Sequence, residues 1–246
     1  RWPERGDGRA AAFVEVFPGR CDIVPDVRHP LAAVVITFAL ASPALAQDSP
    51  SPWYVGAALG LTQARFEPFY TFVNGSDPEQ FDNRERGLQA DIVGGWRRGL
   101  NDAFTMAVQG MLSVNRIEWS LSIPDEPADL RYSLPYTLVV SAIPSWDVGR
   151  GISVFAEVGA GMGRVRERKT SPVESSYDVD VMAAALHLGV GAAVPLTDRL
   201  DLVAAYRHGR YAPFEFDTFN PDGAVDEHVT DAPRTHGVSV GVTIGF

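Results

Sequence analysis

Eight segments of alternating residues, joined by connections that are short and long in strict turn, constrain this chain more than any other feature. In the first segment Val55, Ala57, Leu59 and Leu61 alternate with Gly56, Ala58, Gly60 and Thr62, the period of a strand with two unlike faces. The second sets Leu88, Ala90, Ile92, Gly94 and Trp96 against Gln89, Asp91, Val93 and Gly95, and the third sets Phe104, Met106, Val108 and Leu112 against Thr105, Ala107, Gln109 and Ser113. Further strands are expected over residues 132–143, 152–165, 181–194, 200–211 and 235–246. Strands two, four and six are followed by short turns at 97–102, 145–151 and 195–199. Strands one, three, five and seven are followed by long polar loops at 67–86, 114–131, 166–180 and 212–234.

A soluble sheet protein has little reason to sort its connections this way, whereas a membrane barrel has short turns at one end and long loops at the other. The faces agree. In the sixth strand Met182, Ala184, Leu186, Leu188, Val190, Ala192 and Val194 share one parity, and Ala183, Ala185, His187, Gly189 and Gly191 share the other. In the fifth, Val154, Ala156, Val158 and Met162 oppose Ser153, Phe155, Glu157 and Gly159. A water-soluble barrel would put the apolar parity inside. The expected fold is therefore all-β, an eight-stranded antiparallel up-and-down transmembrane β-barrel over residues 53–246, with glycines on the inner face suiting a narrow lumen.

Composition removes other classes. The chain has 246 residues and a net charge of -10, which argues against nucleic acid as a partner, since phosphates call for clustered Lys and Arg. No apolar run approaches the roughly 20 residues of a transmembrane helix. The one cysteine, Cys21, cannot form an internal disulfide, and no Cys/His cluster suggests a metal, so neither metal nor cofactor is expected. Near the start, Arg28 and His29 precede the apolar run 31–40 and the small-x-small end at Ala44 and Ala46, the pattern of a signal peptide over 27–46 cleaved after Ala46. Residues 1–26 read as a mis-called or disordered extension with translation starting near Val27, and 47–52 as a linker. Aromatic residues fall near strand ends, Trp53, Trp96, Phe104, Trp146 and Phe246 at the turn end and Phe66, Trp119, Tyr132, Tyr206 and Tyr211 at the loop end, as two interfacial girdles would require.

The start Trp53-Tyr54-Val55-Gly56-Ala57-Ala58-Leu59-Gly60, the turn Pro195-Leu196-Thr197-Asp198-Arg199-Leu200, the segment Ala205-Tyr206-Arg207 and the terminus Val238 to Phe246 are similar to the small eight-stranded outer-membrane β-barrel family, which includes the OmpA transmembrane domain and opacity-type porin-family surface proteins. The resemblance implies residence in the outer membrane of a Gram-negative bacterium. It also implies that Val240, Val242, Ile244 and Phe246 are the signal read by the barrel assembly machinery.

Asp91, Gln109, Glu157, His187 and Arg207 fall at similar heights on the inward parity and are expected to form one polar layer in the lumen, with Arg207 between Glu157 and Asp91 and with Gln109 and His187 filling the remaining sites. A buried charge needs such pairing. The expected role is structural or surface-interactive, in envelope integrity or adhesion, for a monomer among outer-membrane lipid and lipopolysaccharide whose loops meet a host or surface ligand. The alternatives are a narrow porin-like channel for water, ions or small solutes and, further back, a lipid A-modifying enzyme. Against catalysis, His236 and Ser239 are three residues apart on one strand and point to opposite faces, while His208 and His228 read as solvated. The loop acids, Glu227 and Asp231 among them, read as a solvated acidic surface, and Arg164, Arg166, Arg168 and Lys169 as contacts for lipopolysaccharide phosphates.

Overall fold

The computed structural model describes residues 52–246 apart from 74, 76, 81, 123–128, 171–176 and 220–223, and without the side chains of 79, 119–122 and 129. The expected extension, the signal peptide with Ala44 and Ala46, and most of the linker lie outside the described residues. So does the side chain of Trp119.

Thirteen strands are described in chain order: β1 (Trp53–Phe66), β2 (Phe69–Phe72), β3 (Glu79–Gln80), β4 (Asn83–Asn101), β5 (Phe104–Arg116), β6 (Glu118–Ser122), β7 (Asp129–Asp147), β8 (Ser153–Thr170), β9 (Tyr177–Pro195), β10 (Leu200–Tyr211), β11 (Phe214–Phe219), β12 (Val225–Asp231) and β13 (Arg234–Gly245). Eight of them form a closed antiparallel ring in the order β5-β4-β1-β13-β10-β9-β8-β7, with β7 pairing back to β5. First and last strands meet from Tyr54 opposite Gly245 to Arg65 opposite Arg234. Closure satisfies the backbone of every strand, which hydrocarbon requires.

The outward parity is apolar and uncovered: Leu59, Leu61, Leu88, Val140, Leu188, Val190 and Val240 are all exposed, the face offered to lipid. The inward parity is closely packed because its glycines give way to neighbours. A Cβ on Gly163 would collide with the Tyr211 ring, and one on Gly191 with the Phe155 ring. The turn Val148–Ile152 needs left-handed backbone at three successive positions, Gly149, Arg150 and Gly151, with φ of 94°, 59° and 74°.

The long connections are not loops throughout. The wall strands β8 and β9 run on to Thr170 and from Tyr177. Above the ring stands a second sheet in the order β11-β12-β2-β3, a crown built from the continuations of wall strands. Three of the four joints between wall and crown hold a proline: Pro68 between β1 and β2, Pro213 between β10 and β11, and Pro233 between β12 and β13; the sequence between β3 and β4, residues 81–82, has none. Proline has no N–H to give a ladder, so pairing breaks there and the chain changes direction.

The loop-end girdle needs correction. Phe66, Tyr132 and Tyr211 are buried within a core with Ala64, Ile117, Leu134, Val165, Ala183 and Ala185, inside the upper barrel and not against lipid. Phe66 and Tyr211 share the inward parity of Ala64 and Arg207. Tyr132 is turned inward by a one-residue register shift between Ser133 and Tyr136, a bulge at Pro135 that leaves Tyr132 and Leu134 inside above it and Thr137 and Val139 inside below it. Tyr206 does face out.

Filling the space that Gly163 leaves for Tyr211 is expected to cost the folded state. Gly163→Val should lower stability by about 1 to 3 kcal/mol by overpacking, read as a lower temperature of heat-modifiable gel migration, while Gly94→Ala on the lipid face should leave it unchanged.

Candidate functional site

Four inward residues from four strands converge at mid-height. Asp91 and Glu157 are 1% and 3% exposed, and the Arg207 side chain between them is 12% exposed. Arg207 donates from Nε to Glu157 Oε2 at 2.8 Å. Its Nη1 donates to Asp91 Oδ2 at 3.1 Å and to Ser239 Oγ at 3.0 Å. The remaining carboxylate oxygens are also occupied: Asp91 Oδ1 accepts from Ser113 Oγ at 2.7 Å and Gln89 Nε2 at 2.6 Å, and Glu157 Oε1 accepts from Ser141 Oγ at 2.8 Å. The network therefore joins β4, β5, β7, β8, β10 and β13 across the lumen. Each carboxyl group is thus met by several donors, which offsets the cost of burying it.

Gln109 and His187 lie beside this network, not in it. Gln109 accepts from Tyr54 OH at 3.1 Å, and its Nε2 is buried without a partner. Both ring nitrogens of His187 are buried and make no hydrogen bond, and the ring stands edge-on to Tyr211. Below the network a cavity of about 610 Å³ reaches the short-turn end, lined by Tyr54, Arg97, Gln109, Phe155, Arg207 and Thr243 among others. Arg97 at this end pairs with Asp201 at 2.9 Å. Above the network lies the apolar layer of Phe66, Tyr132, Leu134 and Val165.

The junction of wall and crown carries a second polar cluster that sequence reasoning missed. Glu167 on β8 is 1% exposed, and its Oε1 accepts from Tyr132 OH on β7 at 2.8 Å, Tyr177 OH on β9 at 2.7 Å and Tyr70 OH on β2 at 3.4 Å. Tyr70 and Tyr132 also share a hydrogen bond. Glu167 Oε2 is buried without a partner. Burial pushes this carboxyl up to about 8, against the pull of the three hydroxyls. Asp231 on β12 accepts from the backbone N–H of Glu67 at 3.0 Å and of Ala232 at 2.7 Å, and burial pushes it up to about 6. Glu227 and Asp231, read from sequence as solvated loop acids, are thus buried beneath the crown, whose own core is Tyr70, Phe216 and Val229. The sequence signal was the alternation Phe214, Phe216, Thr218 against Glu215, Asp217, Phe219.

Other expected residues are placed as follows. Val240, Val242 and Phe246 are exposed on the outer wall and Ile244 is half-buried there, with β13 closing the barrel against β1. Ser239 is inward on Arg207, whereas His236 is outward, its Nδ1 2.7 Å from Tyr206 OH and its ring 4.5 Å from that of His208. Arg164 is paired with Asp180, and Arg166 and Arg168 with Asp178, so the three arginines of the basic run expected to meet lipid phosphates have ion-pair partners on β9. Among the described residues no group of three or more His, Cys, Asp or Glu could hold a metal ion.

Two outcomes follow from the buried charges. Arg207→Met leaves two buried carboxylates unpaired and should cost about 3 to 5 kcal/mol in urea unfolding, while adding Asp91→Asn and Glu157→Gln to it should recover most of that loss. Glu167 and Asp231 hold folded values above their ordinary 4.5 and 3.8. The folded crown therefore binds more protons than the unfolded chain, and its stability falls as pH rises, to about 6 for Asp231 and on to about 8 for Glu167. Glu167→Gln should abolish the fall between those two values while leaving the lower one, as followed by tyrosine near-ultraviolet circular dichroism during urea unfolding.

The family described as outer membrane protein beta-barrel domain matches residues 31–246. Among curated proteins, none matches the sequence. Similar solved structures include Neisserial surface protein A, with 19% identity over 81% of this chain and 100% of that chain and a TM-score of 0.41. The attachment invasion locus protein Ail of Yersinia pestis, in complex with a heparin analogue, has 13% identity over 79% of this chain and 99% of that chain, with a TM-score of 0.40. The outer membrane protease OmpT from Escherichia coli has 8% identity over 81% and 99%, with a TM-score of 0.48.

Proposed function

The chain belongs to the outer membrane protein β-barrel domain family, and on that premise we propose that it is a closed barrel with a structural and surface-interaction role, fastened through its lumen and presenting its crown to partners outside the cell. The observation that carries this reading is the network around Arg207, which joins six of the eight wall strands, with an apolar layer above it. Ions crossing such a lumen would have to part a buried charged cluster and then an apolar layer, each costing several kcal/mol. Eight strands leave an interior only just wide enough for side chains.

A second reading, a narrow conduit, is favoured by the cavity at the short-turn end and by the unpartnered Gln109 and His187 nitrogens, which suit water. It requires the apolar layer to open. We assign no catalysis, since the one serine near a histidine in sequence, Ser239, is bound to Arg207 on the opposite face from His236. By the same reading, the segment ending at Ala44 and Ala46 directs export, and Val240, Val242, Ile244 and Phe246 are the strand that the assembly machinery engages.

The test is single-channel recording of the refolded barrel in planar lipid. The closed reading predicts no conductance steps from the unaltered protein. Reproducible steps whose ion selectivity changes in Glu157→Gln would replace it with the conduit.

A further inference from the structure

We infer that the outer wall of β10, β13, β1 and β4, just above the apolar belt, is a docking surface for the phosphorylated headgroups of outer-leaflet lipid. The pairing registers line up one outward residue from each strand. Arg84 stands opposite Arg65, Arg65 opposite Arg234, and Arg234 opposite Arg210, four arginines on one rung. The rung nearer the belt is Arg86, Gln63, His236 and His208. Below it come Leu88, Leu61, Val238 and Tyr206, all exposed, with Arg116 opposite Leu88.

Like charges directly opposite on neighbouring strands destabilise a sheet, so a row of four needs counter-charge. The chain supplies part of it. Asp82 pairs with Arg65 at 2.7 Å and Arg84 at 3.2 Å, and Glu67 with Arg65 at 2.8 Å and Arg234 at 3.4 Å. Two carboxylates thus serve Arg65, Arg84 and Arg234, while among the described residues Arg86, Arg116 and Arg210 have no ion-pair partner. On the far wall each of Arg164, Arg166 and Arg168 has an ion-pair partner, in Asp178 or Asp180 on the next strand. In a chain of net charge -10 this wall keeps three arginines that no carboxylate among the described residues pairs.

Height decides the ligand. Successive outward residues on a strand are about 6 to 7 Å apart, so the arginine row lies roughly 13 Å along the strands beyond the last apolar rung, or about 10 Å along the membrane normal for strands tilted by about 40°, with Arg86 and the two histidines between. That is where lipid phosphates meet water. Guanidinium binds phosphate through paired hydrogen bonds, and the partly desolvated boundary strengthens the attraction. The inference rests on residence in the outer membrane and is independent of whether the lumen conducts.

The folded protein in neutral detergent is titrated with diphosphoryl lipid A, and bound lipid is counted by native mass spectrometry. The triple variant R86Q/R116Q/R210Q is expected to bind about tenfold more weakly than the unaltered protein, with R199Q at the turn end unchanged. Should the triple variant lack the heat-modifiable migration of a folded barrel, R86Q and R210Q are each compared singly, with a loss of about threefold expected. Equal binding by the variants would overturn the inference. Equal binding of dephosphorylated lipid A would overturn it too, since the acyl chains alone would then be read. Displacement of lipid A by an equimolar amount of inorganic phosphate would assign the row to free anions and likewise end the proposal.

Discussion

Closure of β1 on β13 is the constraint from which the rest follows. In hydrocarbon a strand edge cannot stay unpaired, so the first and last strands must meet in a register that leaves no N–H or C=O open to lipid. Once Tyr54 is set opposite Gly245, parity decides which residues face lipid and which face the lumen around the whole ring. The apolar parity faces out because the solvent there is itself apolar. Everything polar that the wall strands carry at membrane depth must then be resolved inside, within a lumen so crowded that glycine is needed where the ring of Tyr211 or Phe155 lies over a nearby strand of the same wall.

Seen along its axis the interior is layered. The cavity at the short-turn end is lined in part by Arg207, whose two carboxylate partners and three serine-bearing neighbours form one hydrogen-bonded network. An apolar core follows, of a kind that belongs to soluble proteins, and above it Glu167 and three tyrosines tie the crown to the wall. The two clusters resolve buried carboxylates differently. Asp91 and Glu157 are met by a cation, whereas Glu167 is met by hydroxyls alone and is raised toward its neutral form. The lumen fastening is thus held by charge and the crown junction by hydrogen bonds that titrate.

Much of this was legible in the sequence, and the part that was not has specific causes. Period-two alternation and the sorting of short and long connections gave every wall strand, because both are local properties of a chain facing two unlike surroundings. The lumen trio Asp91, Glu157 and Arg207 was legible because polar residues on an inward parity have nowhere else to go. Phe66, Tyr132 and Tyr211 were misplaced because the girdle was read from nearness to strand ends without parity, and at Tyr132 parity itself is shifted by one at the Pro135 bulge. Glu227 and Asp231 were read as solvated because the crown exists only when continuations of β1, β10 and β13 come together, which no local pattern states. The basic run from Arg164 to Lys169 looked free for the same reason: Asp178 and Asp180 sit on the facing strand. Conversely, the arginine row of Arg84, Arg65, Arg234 and Arg210 is scattered along the sequence and becomes a row only through register.

A lumen sealed between the cavity at the short-turn end and the crown, as proposed, would exclude aqueous reagents from the layer between them. The most direct test places single cysteines along the lumen of the chain, with Cys21 replaced, and labels the folded barrel in vesicles with a membrane-impermeant thiol reagent. Thr105→Cys, which lines the cavity, should be modified, and Ala64→Cys, in the apolar layer, should stay protected from both sides. Modification of Ala64→Cys at the rate of Thr105→Cys would mean a continuous aqueous path, and the sealed-barrel account would be wrong.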